Sequence, residues 1–450
     1  MSSNVLDDLV ASVRSMLNDV GFYLSPATVI ITLVAILFPF ALILIFALTH
    51  KEAPTRPPPG CRKLGLQGPS NLSDQYSPKY SKGADATTSD PWKVKAIFIY
   101  PVKSCSGIEL SNSEIVRTGL KYDRQFTLGQ HVTSLPTLEG KVESEWSFIT
   151  QRTFPRLAKV ETEIWVPDPQ SPGYSKDAEY VQSEGCLVIR FPFSPDTDFS
   201  IAGLKAYGKI LAAKIDGKSE PMLEFRVPFN PPEARIKFNK YQSDKIKIWK
   251  DTPEALNMAP EVPDDMLQKL AYTLGVANPL TLFRIDTTKY REVHKCAPKK
   301  ADVGFDPIIG MQDSYPMHIM NLASVHHVAA ELPRGNRYRN KLNALRYRAN
   351  VYVTGPPAFV EDGWTRARIG RLEYHVSCRT TRCKLPNVDP ETGVADRNEP
   401  GTTMRKYRVI DGGSTSPCLG MQVTPLEEGG VKVGDEVKVL ETGEHFFLKV

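Results

Sequence analysis

The sequence predicts a mainly β fold with α+β elements: one N-terminal transmembrane helix, a β-barrel-like domain, and a second β-rich domain. Three observations carry this. One 21-residue stretch, Thr28 to Leu48, has no charged side chain. Short runs of alternating apolar and polar residues, bounded by turn residues, fill the region from Trp92 to about residue 235. Helical patterns then appear between further strand-like runs, which is the texture of a mixed domain.

The apolar stretch TVIITLVAILFPFALILIFAL would span roughly 30 Å as a helix, the thickness of a bilayer's hydrocarbon core. Pro39 lies inside it, and a membrane helix tolerates this through a local kink. The tail before it (1–27) carries Asp7, Asp8 and Asp19 against Arg14, unlike the basic leader of a cleavable signal. Lys51, Arg56, Arg62 and Lys63 follow the span against Glu52 alone, so the positive-inside rule places the C-terminal domains in the cytosol. The outer mitochondrial membrane or the endoplasmic reticulum suits such an anchor. Apolar residues at helical spacing in 5–20 fit an interfacial helix or a simple lead-in, and the sequence does not choose.

Residues 49–91, with RPPPG and QGPSNLSDQYSPKYSKG, have no hydrophobic period and predict a flexible linker. The first folded domain is expected over 92–235, its strands at VKAIFIYPVKS, RQFTLG, LAKVETEIWV and CLVIRFPF. The second is expected over 255–450. There a helix opens near Asp264 and stops at Gly275, and another runs from Asn321 to the break at Pro333. Strands are predicted at YRANVYVTG, RIGRLEYHV and VGDEVKVLE.

The chain of 450 residues has 56 basic and 51 acidic side chains, a net charge of +5 that gives no reason to expect nucleic acid. Seven scattered cysteines make a poor disulfide framework and favour a reducing compartment. There is no GxGxxG after a strand, no Walker loop, no HExxH and no GxSxG. The adjacent His326 and His327 would point about 100° apart on a helix, which suits a capping or surface pair better than a metal site. Cys378 and Cys383 in CRTTRC lack the spacing and partners of zinc ligands. Cys383 has Arg382 and Arg379 close by, and cationic neighbours favour the thiolate that binds soft metals. Lys103 and Ser104 end a strand at YPVKS, Arg124 follows a turn in KYDR, and Arg348 and Asn350 open a strand at YRAN. Cations and small polar groups at strand ends suit an anionic, hydrogen-bond-rich ligand.

Seven blocks occur in an order that resembles the MOSC family, and in particular its membrane-anchored amidoxime reducing members. They are IYPVKSCSGIEL, GLKYDRQFTL, ITQRTFPRLAKV, DSYPMHIMNLASVHHV, RYRANVYVTG, RCKLPNVDPETGVADRNEP and VKVGDEVKVL. The resemblance implies a MOSC N-terminal β-barrel domain followed by a MOSC domain, and a molybdenum cofactor whose metal is bound by Cys383. It assigns the pterin and its phosphate to Lys103, Ser104, Arg124, Ser314, Tyr315, Arg348, Asn350, Thr381 and Arg382. Gln422, in GMQV, stands where relatives carry an aromatic residue, and Tyr315 is bulkier than the usual residue there. Asp389, in the VDPETG turn, is the expected group for proton delivery or substrate orientation, with an Asx-turn as the alternative. The implied reaction is reduction of N-hydroxylated compounds, with electrons from a b5-type cytochrome and its NADH-dependent reductase. Sulfur transfer through a persulfide, and non-catalytic carriage of the cofactor, are the rival readings.

Overall fold

The computed structural model describes residues 26–49, 56–83, 91–136 and 140–446, with four scattered positions nearer the N-terminus. The apolar periodicity noted in 5–20 lies outside the described residues. The chain divides into two compact units, residues 1–55 with 192–222, and residues 56–191 with 223–450.

In the first unit the uncharged stretch forms one 24-residue helix, Pro26–Thr49, with Pro39 inside it. Its length and composition suffice to cross a membrane, and none of its apolar core is buried within the protein. A second helix, Ile201–Ile215, packs against it. Ser200 caps this helix by accepting from the Gly203 amide, and its small residues Gly203, Ala206, Gly208, Ala212 and Ala213 are buried. Gly208 is required at the contact, since a Cβ there would come within 2.5 Å of Phe46 Cβ. The sequence reading did not anticipate this helix, because two glycines in one helical window weigh heavily against it.

The second unit holds three main β layers. Five strands close a barrel: Phe126–Thr133, Ser144–Phe148, Ser243–Lys247, Glu254–Asn257 and Leu280–Ile285. Ile246, Ile248, Ala255, Phe283 and Ile285 fill it. An eight-stranded sheet joins Lys93–Ile99 and Ile108–Leu110 to six strands between Met317 and Thr442. Its one parallel pair, Met317–Asn321 with Val351–Thr354, is bridged by the helix Leu322–Glu331, whose apolar face covers the sheet. A four-stranded sheet contains Cys61–Lys63, Glu161–Pro167, Cys186–Pro192 and Met222–Pro228.

The two expected domains are therefore interleaved. The strand Lys93–Ile99, placed by sequence in the first domain, pairs antiparallel with Val351–Thr354. Strands 254–257 and 280–285, expected in the second domain, complete the barrel. Part of the expected linker is also folded, among residues 56–83. Arg62 pairs with Val166 at a sheet edge, Leu72 is 2% exposed in the core, and Gln75 Oε1 accepts from the Ala344 amide at 2.7 Å. These few anchored side chains outweigh a composition that otherwise reads as flexible.

Several local expectations hold. Asn321 caps its helix by accepting from the Ala323 amide at 3.1 Å. Gly275 ends the helix Met266–Leu274 in the left-handed conformation at φ 75, although Asp265 rather than Asp264 stands at its N-terminus. His326 and His327 are packing residues: His326 Nε2 meets the Gln75 carbonyl at 2.7 Å, and the His327 ring packs on Phe359.

Candidate active site

Where the barrel meets the large sheet, within the second unit, lies a cavity of about 660 Å³. Its wall carries eleven of the twelve residues singled out from sequence: Lys103, Ser104, Arg124, Ser314, Tyr315, Arg348, Asn350, Thr381, Arg382, Cys383 and Gln422. They arrive from distant parts of the chain because strand ends of the interleaved domains converge there. Ser104, Arg124, Arg348 and the further lining residue Trp249 have φ values of 67, 47, 51 and 57. A bulky residue at positive φ is strained, and such residues cluster where a site dictates the backbone.

The inner wall is a set of buried cations with dedicated partners. Lys103 Nζ donates to the Met311 carbonyl at 2.7 Å and to Asp313 Oδ1 at 2.6 Å. Desolvation draws the Lys103 ammonium down to about 8, against the opposing pull of the Asp313 charge. Desolvation works against the Asp313 carboxylate too, but Lys103 holds it well below the ordinary range. Arg124 donates to Asp123 at 2.5 Å and to the Arg348 carbonyl at 3.1 Å. Its guanidinium and that of Arg348 stand 4.8 and 4.1 Å from the Tyr100 ring. Asn350 takes Arg124 Nη1 at 3.3 Å and the His318 amide at 3.1 Å on its Oδ1. Arg348 Nη1 donates to the Cys105 carbonyl at 2.6 Å, and desolvation lowers its affinity for its proton.

Cys383 is exposed to the cavity and follows the end of the strand Leu372–Thr381. Its Sγ accepts from the Leu385 amide at 3.4 Å. The preceding Arg382 is locked: Nε donates to the Leu419 carbonyl at 2.8 Å, Nη1 to the Tyr347 carbonyl at 3.2 Å, and Nη2 meets His318 Nε2 at 2.5 Å. Desolvation and the Arg382 charge keep His318 neutral, so its Nε2 is the acceptor. Cys378, five residues earlier, is buried in the sheet opposite Gln422, as a structural residue would be.

Asp389 is the exception. It does not line the cavity. Its Oδ1 accepts from the Glu391 and Thr392 amides at 2.9 and 3.2 Å, and its Oδ2 from Arg346 Nη2 at 2.7 Å. Burial opposes its charge, but those amides and the Arg346 cation hold the carboxyl below its ordinary range. It builds the turn after Cys383, with its carboxylate bonded as the Asx-turn alternative expects.

The structure adds residues that sequence did not assign to the site, although it noted Arg379 as a cationic neighbour of Cys383. Thr150, Arg152, Trp249, Arg291, His318, Arg379 and Thr380 also line the cavity. Thr150, Arg152 and His318 fall inside the quoted blocks, so the signal was present without a reason to choose them. Nine Lys and Arg side chains line the cavity against three acidic ones. Thr150 Oγ1, Arg348 Nη2, Arg379 Nε and Thr380 Oγ1 are buried without a hydrogen-bond partner. A cationic cavity with unsatisfied polar atoms and one exposed thiol fits an anionic cofactor with a soft metal.

Comparison with known proteins agrees with that chemistry. The MOSC domain matches residues 306–438, and the MOSC N-terminal beta barrel domain matches residues 92–207. The chain belongs to the MOSC family. It is 25% identical to mitochondrial amidoxime reducing component 2 of Macaca fascicularis, over 76% of this chain and 82% of that protein. The human protein of the same name is 24% identical over the same shares. Molybdenum cofactor sulfurase of Arabidopsis thaliana is 22% identical over 76% of this chain but only 35% of its own length. MOSC members thus include amidoxime reducing components and cofactor sulfurases, and the cavity residues of this chain lie mainly within the two matched segments.

Proposed function

We propose that this chain is a membrane-anchored, molybdenum-dependent reductase of N-hydroxylated compounds such as amidoximes and hydroxylamines. The observation that carries the reading is the meeting of the exposed Cys383 thiol with a cationic wall of unsatisfied donors in one cavity. Similarity along most of the length of amidoxime reducing components supports the choice of reaction.

In this reading Cys383 Sγ is the protein ligand of the metal, and the Leu385 amide steadies the charge on the sulfur. Lys103, Ser104, Arg124, Arg348, Asn350, Thr381 and Arg382, with Ser314, Tyr315 and Gln422, hold the pterin and its phosphate. The bound cofactor supplies a centre that takes an oxygen atom from substrate while passing two electrons. The chain's own residues supply position and charge. Arg346, buried under the turn, ties the Pro386 and Asn387 carbonyls and the Asp389 carboxylate, at 3.2, 3.1 and 2.7 Å, into a fixed support for Cys383. Lys103, drawn to about 8, is a cation of the wall whose charge changes near neutral pH.

Electrons come from a b5-type cytochrome fed by its NADH-dependent reductase. Sharing one membrane with the donor raises its effective concentration. The outer mitochondrial membrane suits the names of the relatives, and the basic flank after the span puts the catalytic unit in the cytosol. Sulfur transfer is the alternative, favoured only by the similarity to the sulfurase. The full chain is expected to contain stoichiometric molybdenum and molybdopterin and to reduce benzamidoxime when given a reduced electron donor. A chain without molybdenum but with cyanide-releasable sulfur would support the transferase instead.

A further inference from the structure

The mouth of the cavity draws in part on chain outside the matched segments. Residues 208–305 fall between the two matched family segments, and they supply Trp249 to the mouth. Trp249 and Lys250 form the two-residue turn of a hairpin closed by mutual Ile248 and Asp251 backbone bonds of 2.8 and 3.0 Å. The first position of that turn has φ 57, where glycine is the usual residue. A tryptophan there is strained by roughly 1 kcal/mol or more. The turn is nonetheless fixed from both sides. Trp249 Nε1 donates to Asp313 Oδ1 at 2.9 Å, and Arg291 Nε donates to Asp251 Oδ2 at 2.9 Å.

A second loop faces the same mouth. The turn after the barrel strand Ser144–Phe148 presents Thr150 and Arg152. Thr150 is 7% exposed, and its Oγ1 has no hydrogen-bond partner. The Arg152 guanidinium lies 4.6 Å from the centre of the Trp249 ring. Among the described residues it joins no ion pair, although every other arginine named for the cavity above is paired or bonded to carbonyls.

We propose that Thr150 and Arg152, with Trp249 positioning the guanidinium, form an anion subsite at the mouth that selects N-hydroxylated substrates bearing a carboxylate or phosphate. This rests on the reductase reading for the reacting group, but not for the anion. The Thr150 hydroxyl and the Arg152 guanidinium line one cavity and are unpartnered among the described residues, so both are left to donate to a ligand, and the ring holds the guanidinium where a free side chain would wander. In the reductase reading the cofactor's phosphate would be held by the buried cations of the inner wall, such as Lys103, Arg124 and Arg348. Arg152, exposed at the edge, is left for a group that enters with substrate. The strained Trp249 explains itself as the fixed platform for that cation.

The test compares benzamidoxime with 4-carboxybenzamidoxime on the full chain in detergent, by calorimetry and by turnover with a reduced b-type cytochrome. The carboxylated compound should bind at least about tenfold more tightly at low salt, with the advantage shrinking as ionic strength rises. Arg152→Gln should remove most of that ratio, in Kd and in kcat/KM alike, and Thr150→Val should lower it about threefold. Equal affinities in the wild type, or a preference that survives Arg152→Gln, would overturn the subsite. So would a loss of pterin from Arg152→Gln, which would assign that arginine to the cofactor's phosphate. A charge preference in binding without any turnover would uphold the subsite and sink the reductase reading.

Discussion

The inner wall and the mouth of the cavity are built on opposite principles. The inner wall consists of buried cations at strand ends, each held by carbonyls, carboxylates or aromatic rings, and it lies inside segments that resemble known relatives. The mouth consists of two barrel turns that present the exposed Arg152 and Trp249 beside the buried Thr150 hydroxyl, one of the turns lying outside both matched segments. Asp313 joins the two, since one carboxylate oxygen accepts from Lys103 within and from Trp249 at the edge. In the proposed reading, the difference assigns cofactor retention and substrate choice to separate residues. A wall whose donors are fixed by dense partners suits a ligand that never leaves. A mouth whose Arg152 guanidinium is unpaired among the described residues suits one that comes and goes.

Substitutions can break that comparison in order of expected effect. Cys383→Ser should abolish turnover, with a loss of about a thousandfold or more, the scale of removing an essential group. Full activity in this variant would refute the ligand assignment. Arg348→Gln removes a buried donor from the inner wall and should cut pterin content at least about tenfold, read by fluorescence of the released, oxidised pterin. Retained pterin would place the phosphate elsewhere.

Two further changes address the scaffold beneath the inner wall. Asp389→Ala leaves the Arg346 guanidinium buried without its carboxylate and should cost about 3 kcal/mol in urea denaturation. Because the carboxylate does not face the cavity, its loss should leave the ratio of carboxylated to uncharged substrate unmoved. Glu361 is buried and bonds the end of the strand that carries His318. Its Oε1 accepts from Ser324 Oγ at 2.5 Å and its Oε2 from Asn321 Nδ2 at 3.0 Å. Burial, then the neighbouring Asp362 charge, raise its carboxyl to about 7. The protonated form is therefore favoured by folding. Its stabilisation is complete below the unfolded value near 4.5 and disappears as pH rises through about 7. Wild-type stability should carry a fall of about 2 kcal/mol from this group between pH 5 and 8, absent in Glu361→Gln. At the mouth the effects are smaller still: Arg152→Gln should change selectivity by about tenfold, or 1.4 kcal/mol, and Thr150→Val by about threefold.

The sequence disclosed the inner wall and missed the mouth for physical reasons. Lys103, Arg124, Arg348 and Cys383 sit at strand ends inside recognisable blocks, where a charged residue after an apolar run stands out. Thr150 is a buried hydroxyl with nothing in its neighbourhood to single it out. Trp249 occupies a turn that a sequence reading would assign to glycine or asparagine, so neither the hairpin nor its tip was legible. The interleaving of the domains was equally hidden, because alternation marks a strand without naming its partner. The ordered part of the supposed linker depends on isolated anchors such as Leu72 and Gln75 within a polar stretch. Asp389 shows the converse: a carboxylate near the predicted ligand is conspicuous in sequence, yet its backbone and Arg346 contacts commit it to the turn.

The most direct test of the central claim is the molybdenum and molybdopterin content of the purified full-length chain, measured beside Cys383→Ser. The account predicts close to one of each per wild-type chain. In the variant, pterin should remain on the inner wall while the metal is depleted or inactive. A wild-type chain free of both, from cells that load other molybdenum enzymes, would contradict it.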